Sequence, residues 1–367
     1  MRRLASCLLV VLSIACIPAN ATQRDAFERI DPQQAGYSPE RLAELPAFLE
    51  QAGSDSLLLL HDGKVFFEWG DIRKKLLVHS MRKALLNSLY GIHRERGDVD
   101  LDKTLAELGI DDLPTALNDQ EKSARLIDLL KSRSGVYHPA AAESDGMSQS
   151  RPARGSHAPG EFFYYNNWDF NVAGRVLEQR MGRRVYDAFF EEIAQPLGML
   201  DYRNRIVIAL PDELATDPDA DGFYKYERER SRYPAYHFRM SAHDLALYGQ
   251  LYLDRGRWHD RQLIPAEWIA LSTQPYSITE PQYGLAYGML WDVLVPDSPD
   301  EIPSFFHTGV GVHMLAVYPR HRLVMVHRVD TEKGSRFNDG DLYRLIRMVH
   351  GARLPKPQTE TATARPR

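Results

Sequence analysis

The sequence predicts an α/β protein of the α+β type, in which an antiparallel sheet is flanked by helices and a helical region lies between its sheet-forming parts. In the first sheet-forming part, 54–97, an Asp62-Gly63 turn separates two short apolar runs, the pattern of a β-hairpin. Residues 98–230 show mostly helical spacing and long polar loops. Strand-like aromatic and β-branched segments return in 235–350. We therefore expect one domain over 22–353.

The N-terminal elements follow from local patterns. Ser38, with Pro39 directly after it, predicts the start of a helix. Strands are predicted at 56–60 and 65–70, on either side of the turn. A buried helix beginning at Ser80 follows, because apolar residues recur at helical spacing, at Met81, Leu85, Leu89 and Ile92.

Later elements are assigned in the same way. Residues 139–159 have no periodicity and form a long loop of the kind that often borders an active site. Strands 312–318 and 323–329 are predicted to pair antiparallel, and the Pro- and Thr-rich tail 354–367 to be disordered. Further helices are predicted at 124–131, 171–181, 185–193, 241–253 and 341–349.

The composition is typical of a globular protein, with 44% hydrophobic and 26% charged residues in a chain of 367. The net charge of −5 and the lack of a basic block argue against a nucleic-acid partner. Both cysteines, Cys7 and Cys16, lie in the N-terminal segment. We therefore expect neither disulfides nor cysteine-based metal sites in the rest of the chain.

That N-terminal segment has the pattern of a signal peptide. A basic leader at 2–3 precedes an apolar run at 4–17, and small residues around Ala21 suit a signal peptidase. The run is too short to span a membrane comfortably, so we predict a signal peptide over 1–21, no integral membrane domain, and a periplasmic or secreted protein. Cys16 in an imperfect lipobox leaves lipoprotein anchoring as an alternative.

Ser80 and Lys83 form the first candidate catalytic pair. Three residues apart on a helix, their hydroxyl and amine lie on one face, close enough for a hydrogen bond. Unpaired backbone N–H groups at a helix start favour an anion, which suits an oxygen nucleophile and a tetrahedral oxyanion. A serine that merely caps the helix is the alternative interpretation of the same residues.

Two further segments contain the other groups that a serine hydrolase needs, namely a proton acceptor, a donor to the leaving group and an oxyanion hole. Tyr165 to Asn167 lies just before a predicted helix in the middle of the chain. His307, Thr308 and Gly309 lie near the C-terminus and are predicted to open a strand. Tyr165 could instead be a core aromatic, and His307 a histidine at the end of a strand.

These motifs resemble those of the penicillin-recognising serine enzymes, which include class C β-lactamases, DD-peptidases, D-aminopeptidases and related esterases. The shared order is Ser-x-x-Lys, Tyr-x-Asn and Lys/His-Thr-Gly, found here at Ser80 to Lys83, Tyr165 to Asn167 and His307 to Gly309. The resemblance covers nearly the whole chain after the leader. It implies a β-lactamase/transpeptidase-like fold and a serine hydrolase that forms an acyl-enzyme.

The resemblance also implies roles for individual residues. Ser80 is the nucleophile, and Lys83 and Tyr165 share the removal of its proton, with the identity of the base left open. A Lys83 ammonium would stabilise a Tyr165 phenolate, whereas burial would make the lysine neutral. Asn167 orients Lys83 and the substrate carbonyl. The backbone N–H groups of Ser80 and Val310, just after His307, Thr308 and Gly309, form the oxyanion hole.

The chain departs from the resemblance at His307. β-Lactamases have a lysine there, and a histidine gives a charge that depends on pH near neutrality. We therefore expect an esterase, amidase or peptidase acting on a small ester or amide or a cell-wall peptide, with a true class C-like β-lactamase or a non-catalytic cell-wall binding protein as alternatives.

No cofactor and no metal site are predicted. The acidic turn Asp217 to Gly222 resembles half of an EF-hand loop, but Arg228 occupies the position of the bidentate glutamate, so an acidic surface turn is the better interpretation. The remaining histidines lack the spacing of metal ligands and are interpreted as loop or surface residues: His138, His157, His237 and His243.

Overall fold

The structure is a computed structural model that describes residues 27–209, 219–298 and 301–355. The predicted signal peptide at 1–21, with Cys16, and all but the first two residues of the predicted tail lie outside these ranges. Among the described helices, none combines the length and the apolar character needed to cross a membrane.

The main sheet has eight antiparallel strands in the order β2-β1-β14-β13-β12-β11-β10-β9. It is formed by the two ends of the described chain, as the sequence predicts. Its strands are β1 Ser56–His61, β2 Lys64–Gly70, β9 Ser277–Glu280, β10 Leu285–Tyr287, β11 Asp292–Leu294, β12 Ser304–Gly309, β13 His313–Tyr318 and β14 Leu323–Arg328.

A second sheet was not predicted. It has four strands in the order β3-β6-β5-β4, which are β3 Leu76–Leu77, β4 Ile206–Ala209, β5 Gly222–Lys225 and β6 Ala235–Met240. The expectation that 98–230 is helical is therefore wrong for β4 and β5, whose four-residue runs are too short for periodicity to separate strand from helix. A two-stranded ribbon is formed by β7 Arg257–Trp258 and β8 Arg261–Gln262.

Helices cover both faces of the main sheet, as predicted. They are α1 Pro39–Leu42, α2 Leu45–Ala52, α3 Arg82–Glu95, α4 Asp119–Lys122, α5 Leu126–Leu130, α6 Asp145–Ser150, α7 Asn167–Met181, α8 Val185–Phe189, α9 Gln195–Leu197, α10 Ala242–Leu253, α11 Ala266–Ser272 and α12 Asp339–Gly351. A π-helical turn, Phe190–Ala194, joins α8 to α9. The short helix α6 interrupts the predicted loop 139–159.

The four consecutive leucines of β1 show why both faces are covered. Leu57 and Leu59 pack in a core with α2 and α12, whereas Leu58 and Leu60 pack in a core with α3 and α10. Successive side chains of a strand point to opposite faces, so an unbroken apolar run indicates a strand buried on both sides.

Serine side chains cap two of the predicted helices. The Ser38 hydroxyl accepts from the N–H of Arg41 at 3.3 Å, and the Ser241 hydroxyl accepts from the N–H of Asp244 at 3.0 Å. The Asp244 carboxylate does not complete a capping box. It accepts instead from three successive backbone N–H groups, those of Leu200, Asp201 and Tyr202.

A buried histidine of the main sheet generates a prediction about pH. His327 on β14 is 0% exposed, and burial, together with the nearby Arg328, lowers its pKa to about 3. Its ordinary pKa is about 6.5, so the unfolded chain binds a proton there that the folded chain does not bind. The contribution of the neutral His327 ring to the free energy of unfolding is therefore fully present above about pH 6.5 and is lost as the pH falls toward 3.

We predict that the unfolding free energy of the wild type falls more steeply below about pH 6 than that of His327→Gln, by about 1.4 kcal/mol per pH unit. Urea unfolding between pH 5 and pH 8 measures this difference. The matched control is His259→Gln, at an exposed position, and it should keep the wild-type slope. If the unfolding free energies of wild type and His327→Gln changed with pH at the same slope, the lowered pKa assigned to His327 would be contradicted.

Candidate active site

Ser80 lies in a short 3₁₀ turn, His79–Met81, directly before α3. The prediction that Ser80 itself begins the helix is therefore wrong by two residues. The turn is fixed from two sides. The N–H of Val78 donates to the carbonyl of Phe238 on β6 at 2.9 Å, and the His79 Nε2 lies 2.8 Å from the Thr331 hydroxyl, with His79 at a positive φ of 47°.

Lys83 points from the first turn of α3 toward Ser80. Its Nζ donates to the Ser80 Oγ at 3.0 Å, the hydrogen bond that the spacing predicts. The side chain is 0% exposed, and Nζ lies 4.7 Å from the ring centroids of both Tyr165 and Phe170. Burial lowers the Lys83 pKa well below its usual value, and the neighbouring Arg82 lowers it further. The amine is therefore poised to be neutral.

Tyr165 completes the group around Ser80. It precedes α7, whose first N–H groups are capped by Asn166 through an Oδ1 contact of 3.1 Å with the Trp168 N–H. Burial raises the Tyr165 pKa above its usual value and Asp292 raises it further, while a hydrogen bond with Ser80 opposes the rise. Of the two possibilities that the sequence left open, the phenolate is therefore the disfavoured one, because desolvation of this ring outweighs the stabilisation that a Lys83 ammonium could give.

Asn167, the first residue of α7, is buried beside this group. Its Nδ2 donates to the carbonyl of Ala142 at 2.6 Å, and its Oδ1 has no hydrogen-bond partner among the described residues. Among the described residues, no hydrogen bond joins Asn167 to Lys83.

The segment from His307 to Gly309 ends β12 against the turn of Ser80, which corrects the prediction that it opens a strand. A Cβ on Gly309 would lie 2.7 Å from the carbonyl oxygen of Val78 and 2.3 Å from Nε2 of His313, so this position requires glycine. Thr308 and the 63% exposed Val310 line the same cleft as Ser80 and Tyr165, which has a volume of about 350 Å³.

His307 is 1% exposed, with its Nδ1 2.9 Å from the carbonyl oxygen of Thr308. Burial lowers its pKa to about 3, and the nearby Lys83 lowers it further. The expectation of a charge that changes near neutrality is therefore wrong, because desolvation holds the ring neutral across the physiological range.

Comparison with known proteins identifies the family. The sequence profile described as Beta-lactamase matches residues 45–347, most of the chain. The chain belongs to the Beta-lactamase family. No curated protein gives a significant match to this family member.

Solved structures share the fold of this Beta-lactamase family member. A class C beta-lactamase is 13% identical, with a TM-score of 0.61 and coverage of 88% of this chain and 97% of that one. A penicillin binding protein from Bacillus halodurans is 15% identical, with a TM-score of 0.60 and coverage of 83% and 99%. An octameric penicillin-binding protein homologue from Pyrococcus abyssi is 17% identical, with a TM-score of 0.60 and coverage of 86% and 77%.

Sequence reasoning missed Asp292 in this family member. Asp292 begins β11, the neighbour of β12, and its Oδ2 lies 3.8 Å from Nδ1 of His307 at the cleft. Burial raises its pKa to about 7, an effect that Lys83 opposes. A single aspartate at the start of a short strand carries no local signal, and only the pairing of β11 with β12 brings it to the site.

The prediction that the other histidines are surface or loop residues is wrong for His237 on β6 and His243 on α10, which are both buried. His138 lies in a loop, although it is buried as well. His243 lies close enough to Asp201 and Asp244 for the three to share a metal ion. The Asp244 carboxylate is already engaged by backbone N–H groups, and Oδ1 of Asp201 accepts from Arg73 at 2.8 Å. These contacts indicate a structural cluster in which the carboxylates hold the loop around residue 200.

The acidic turn at Asp217 to Gly222 also has a structural role in its described part. Asp217 and Pro218 lie outside the described residues. Asp221 is 0% exposed, which corrects the expectation of a surface turn. Its carboxylate accepts from the Lys75 Nζ at 2.7 Å and from the N–H groups of Arg203 and Arg205.

Proposed function

We propose that this protein is an exported serine hydrolase that cleaves an ester or amide through an acyl-serine intermediate. Ser80 attacks the scissile carbonyl, Lys83 takes the hydroxyl proton, and Tyr165 protonates the leaving group. The observation that carries the proposal is the 3.0 Å hydrogen bond from a fully buried lysine amine to the Ser80 hydroxyl. Export rests on the leader pattern of 1–21 alone.

Lys83 is the better base of the two candidates. A general base must be unprotonated and within hydrogen-bond reach of the proton it removes. Burial lowers the pKa of Lys83 and raises that of Tyr165, so as the pH rises the amine loses its proton before the phenol does. A protonated phenol beside Ser80 suits the later donation to the leaving group.

The oxyanion of the tetrahedral intermediate needs fixed donors. We assign this role to the backbone N–H groups of Ser80 and Val310. The support is that both residues line one cleft and that Gly309 allows β12 to approach the Ser80 turn closely. Thr308 lies beside them in the cleft and can hydrogen-bond the substrate.

An ester, amide or peptide bond is a better substrate class than a β-lactam. A β-lactam carries a carboxylate beside the scissile bond, and the neutral His307 offers no positive charge to pair it. Asp292 at the same cleft would repel that carboxylate once ionised. A non-catalytic binding protein is disfavoured because Ser80, Lys83 and Tyr165 are all present and close together.

We predict that a fluorophosphonate probe labels wild type covalently at Ser80 and that Ser80→Ala abolishes the labelling. Mass spectrometry of the modified peptide measures this. Ser88→Ala is the matched control, since Ser88 is a buried serine of the same helix whose hydroxyl donates to the carbonyl of Leu85. Full labelling of a folded Ser80→Ala protein would contradict the assignment of the nucleophile.

We predict different substrate dependence for Lys83→Met and Tyr165→Phe. With a p-nitrophenyl ester, whose leaving group needs no proton, Lys83→Met should lower the acylation rate about 10²- to 10⁴-fold and Tyr165→Phe much less. With an unactivated alkyl amide, both variants should be slow. Equal losses in both variants on the p-nitrophenyl ester would instead identify Tyr165 as part of the base.

A further inference from the structure

The cleft contains a carboxylate that the proposed reaction does not use. Asp292 lines the cleft together with Ser80, Tyr165 and His307, and its side chain is 28% exposed. Its one ion-pair neighbour in the described part of the chain is His307, at 3.8 Å. Because the His307 ring is held neutral, this contact does not neutralise the carboxylate.

His307 presents a second unused group at the same place. Its Nδ1 lies 2.9 Å from a carbonyl oxygen, which can only accept, so Nδ1 carries the proton of the neutral ring. Nε2 is then an acceptor, and it is buried with no hydrogen-bond partner among the described residues. A buried acceptor without a donor is costly, and because His307 lines the cleft, an occupant of the cleft is a candidate to supply that donor.

The surroundings of Asp292 are also acidic. Asp339 lines the cleft, and Asp292 and Asp339 both line a neighbouring cavity of about 590 Å³ that adds Glu280. Among the described residues that line the two cavities there is no lysine and no arginine. An occupant therefore meets carboxylates and a hydrogen-bond acceptor, and no lysine or arginine among these lining residues.

We propose that the substrate carries a protonated amine close to its scissile bond, which pairs with Asp292 and donates a hydrogen bond to Nε2 of His307. An alkylammonium group suits both contacts, because it has a positive charge and three N–H donors. A carboxylate at this position would be repelled and would leave Nε2 unsatisfied. This inference rests on the proposed acyl-serine function and specifies its substrate class.

Calorimetric titration tests the inference without turnover. At pH 8, where Asp292 is ionised, the wild type is titrated with a linear alkylammonium chloride, the alkanol of equal length and the sodium alkanoate. We expect the alkylammonium to bind roughly tenfold to a hundredfold more tightly than the alkanol, and the alkanoate not to bind. Protection of Ser80 from the fluorophosphonate probe by the same ligands places the binding in this cleft.

Three variants show which carboxylate is responsible for the preference. Asp292→Asn should reduce the preference for the alkylammonium over the alkanol to about that of two neutral ligands. Glu267→Gln, which removes the same charge from an exposed position at the start of α11, should keep the wild-type preference. Asp292→Glu, which keeps the charge, should retain part of the preference for the alkylammonium. It replaces Asp292→Asn in the test if that variant does not fold.

Suppose that the probe labels Ser80 of the wild type but that the wild type binds alkylammonium and alkanol equally well. This result would overturn the inference and leave the proposed function standing. The same holds if Asp292→Asn keeps the full preference. Absence of labelling at Ser80, with the alkylammonium still bound through Asp292, would overturn the proposed function instead. The two failures are therefore distinguishable.

Discussion

The burial of the Lys83 amine against the Ser80 hydroxyl is the constraint on which the rest of the site depends. An ammonium ion removed from water loses its solvation unless a carboxylate pairs with it, and none contacts Lys83 directly among the described residues. The aromatic rings of Tyr165 and Phe170 exclude water from the amine. The free energy of that desolvation favours the neutral amine, which is the form that can accept a proton.

The fold supplies this environment by bringing three distant segments to one place. The second sheet holds the Ser80 turn through Val78 and Phe238, and β12 approaches the turn closely enough to require Gly309. The same burial that lowers the pKa of Lys83 also keeps His307 neutral and raises the pKa of the Tyr165 phenol. In the described part of the chain, no lysine or arginine lines the cleft, whereas Asp292 and Asp339 both do.

Much of this arrangement could be predicted from sequence because the signals were local. Ser80 and Lys83 are one helical turn apart, the Asp62-Gly63 turn marks the first hairpin, and the leucines of β1 indicate a strand covered on both faces. The antiparallel sheet flanked by helices followed from the order of such patterns.

The rest depends on burial and strand pairing, which spacing does not encode. The charge of His307 was predicted from its chemical type, and desolvation in the folded chain reversed that expectation. For Tyr165 the sequence left the protonation state open, and burial favours the protonated phenol. Asp292 reaches the site through the pairing of β11 with β12. The second sheet was missed because β4 and β5 are only four residues long and lie in a region of helical pattern.

The most direct test of the account is the titration of Lys83 itself. In protein labelled with ¹³Cε-lysine, the resonance that disappears in Lys83→Met is followed by NMR as the pH is raised. The account predicts that this resonance titrates well below the usual lysine pKa of about 10.4. A Lys83 resonance that titrates at the ordinary value, in a folded protein, would contradict the claim that burial makes this amine the base.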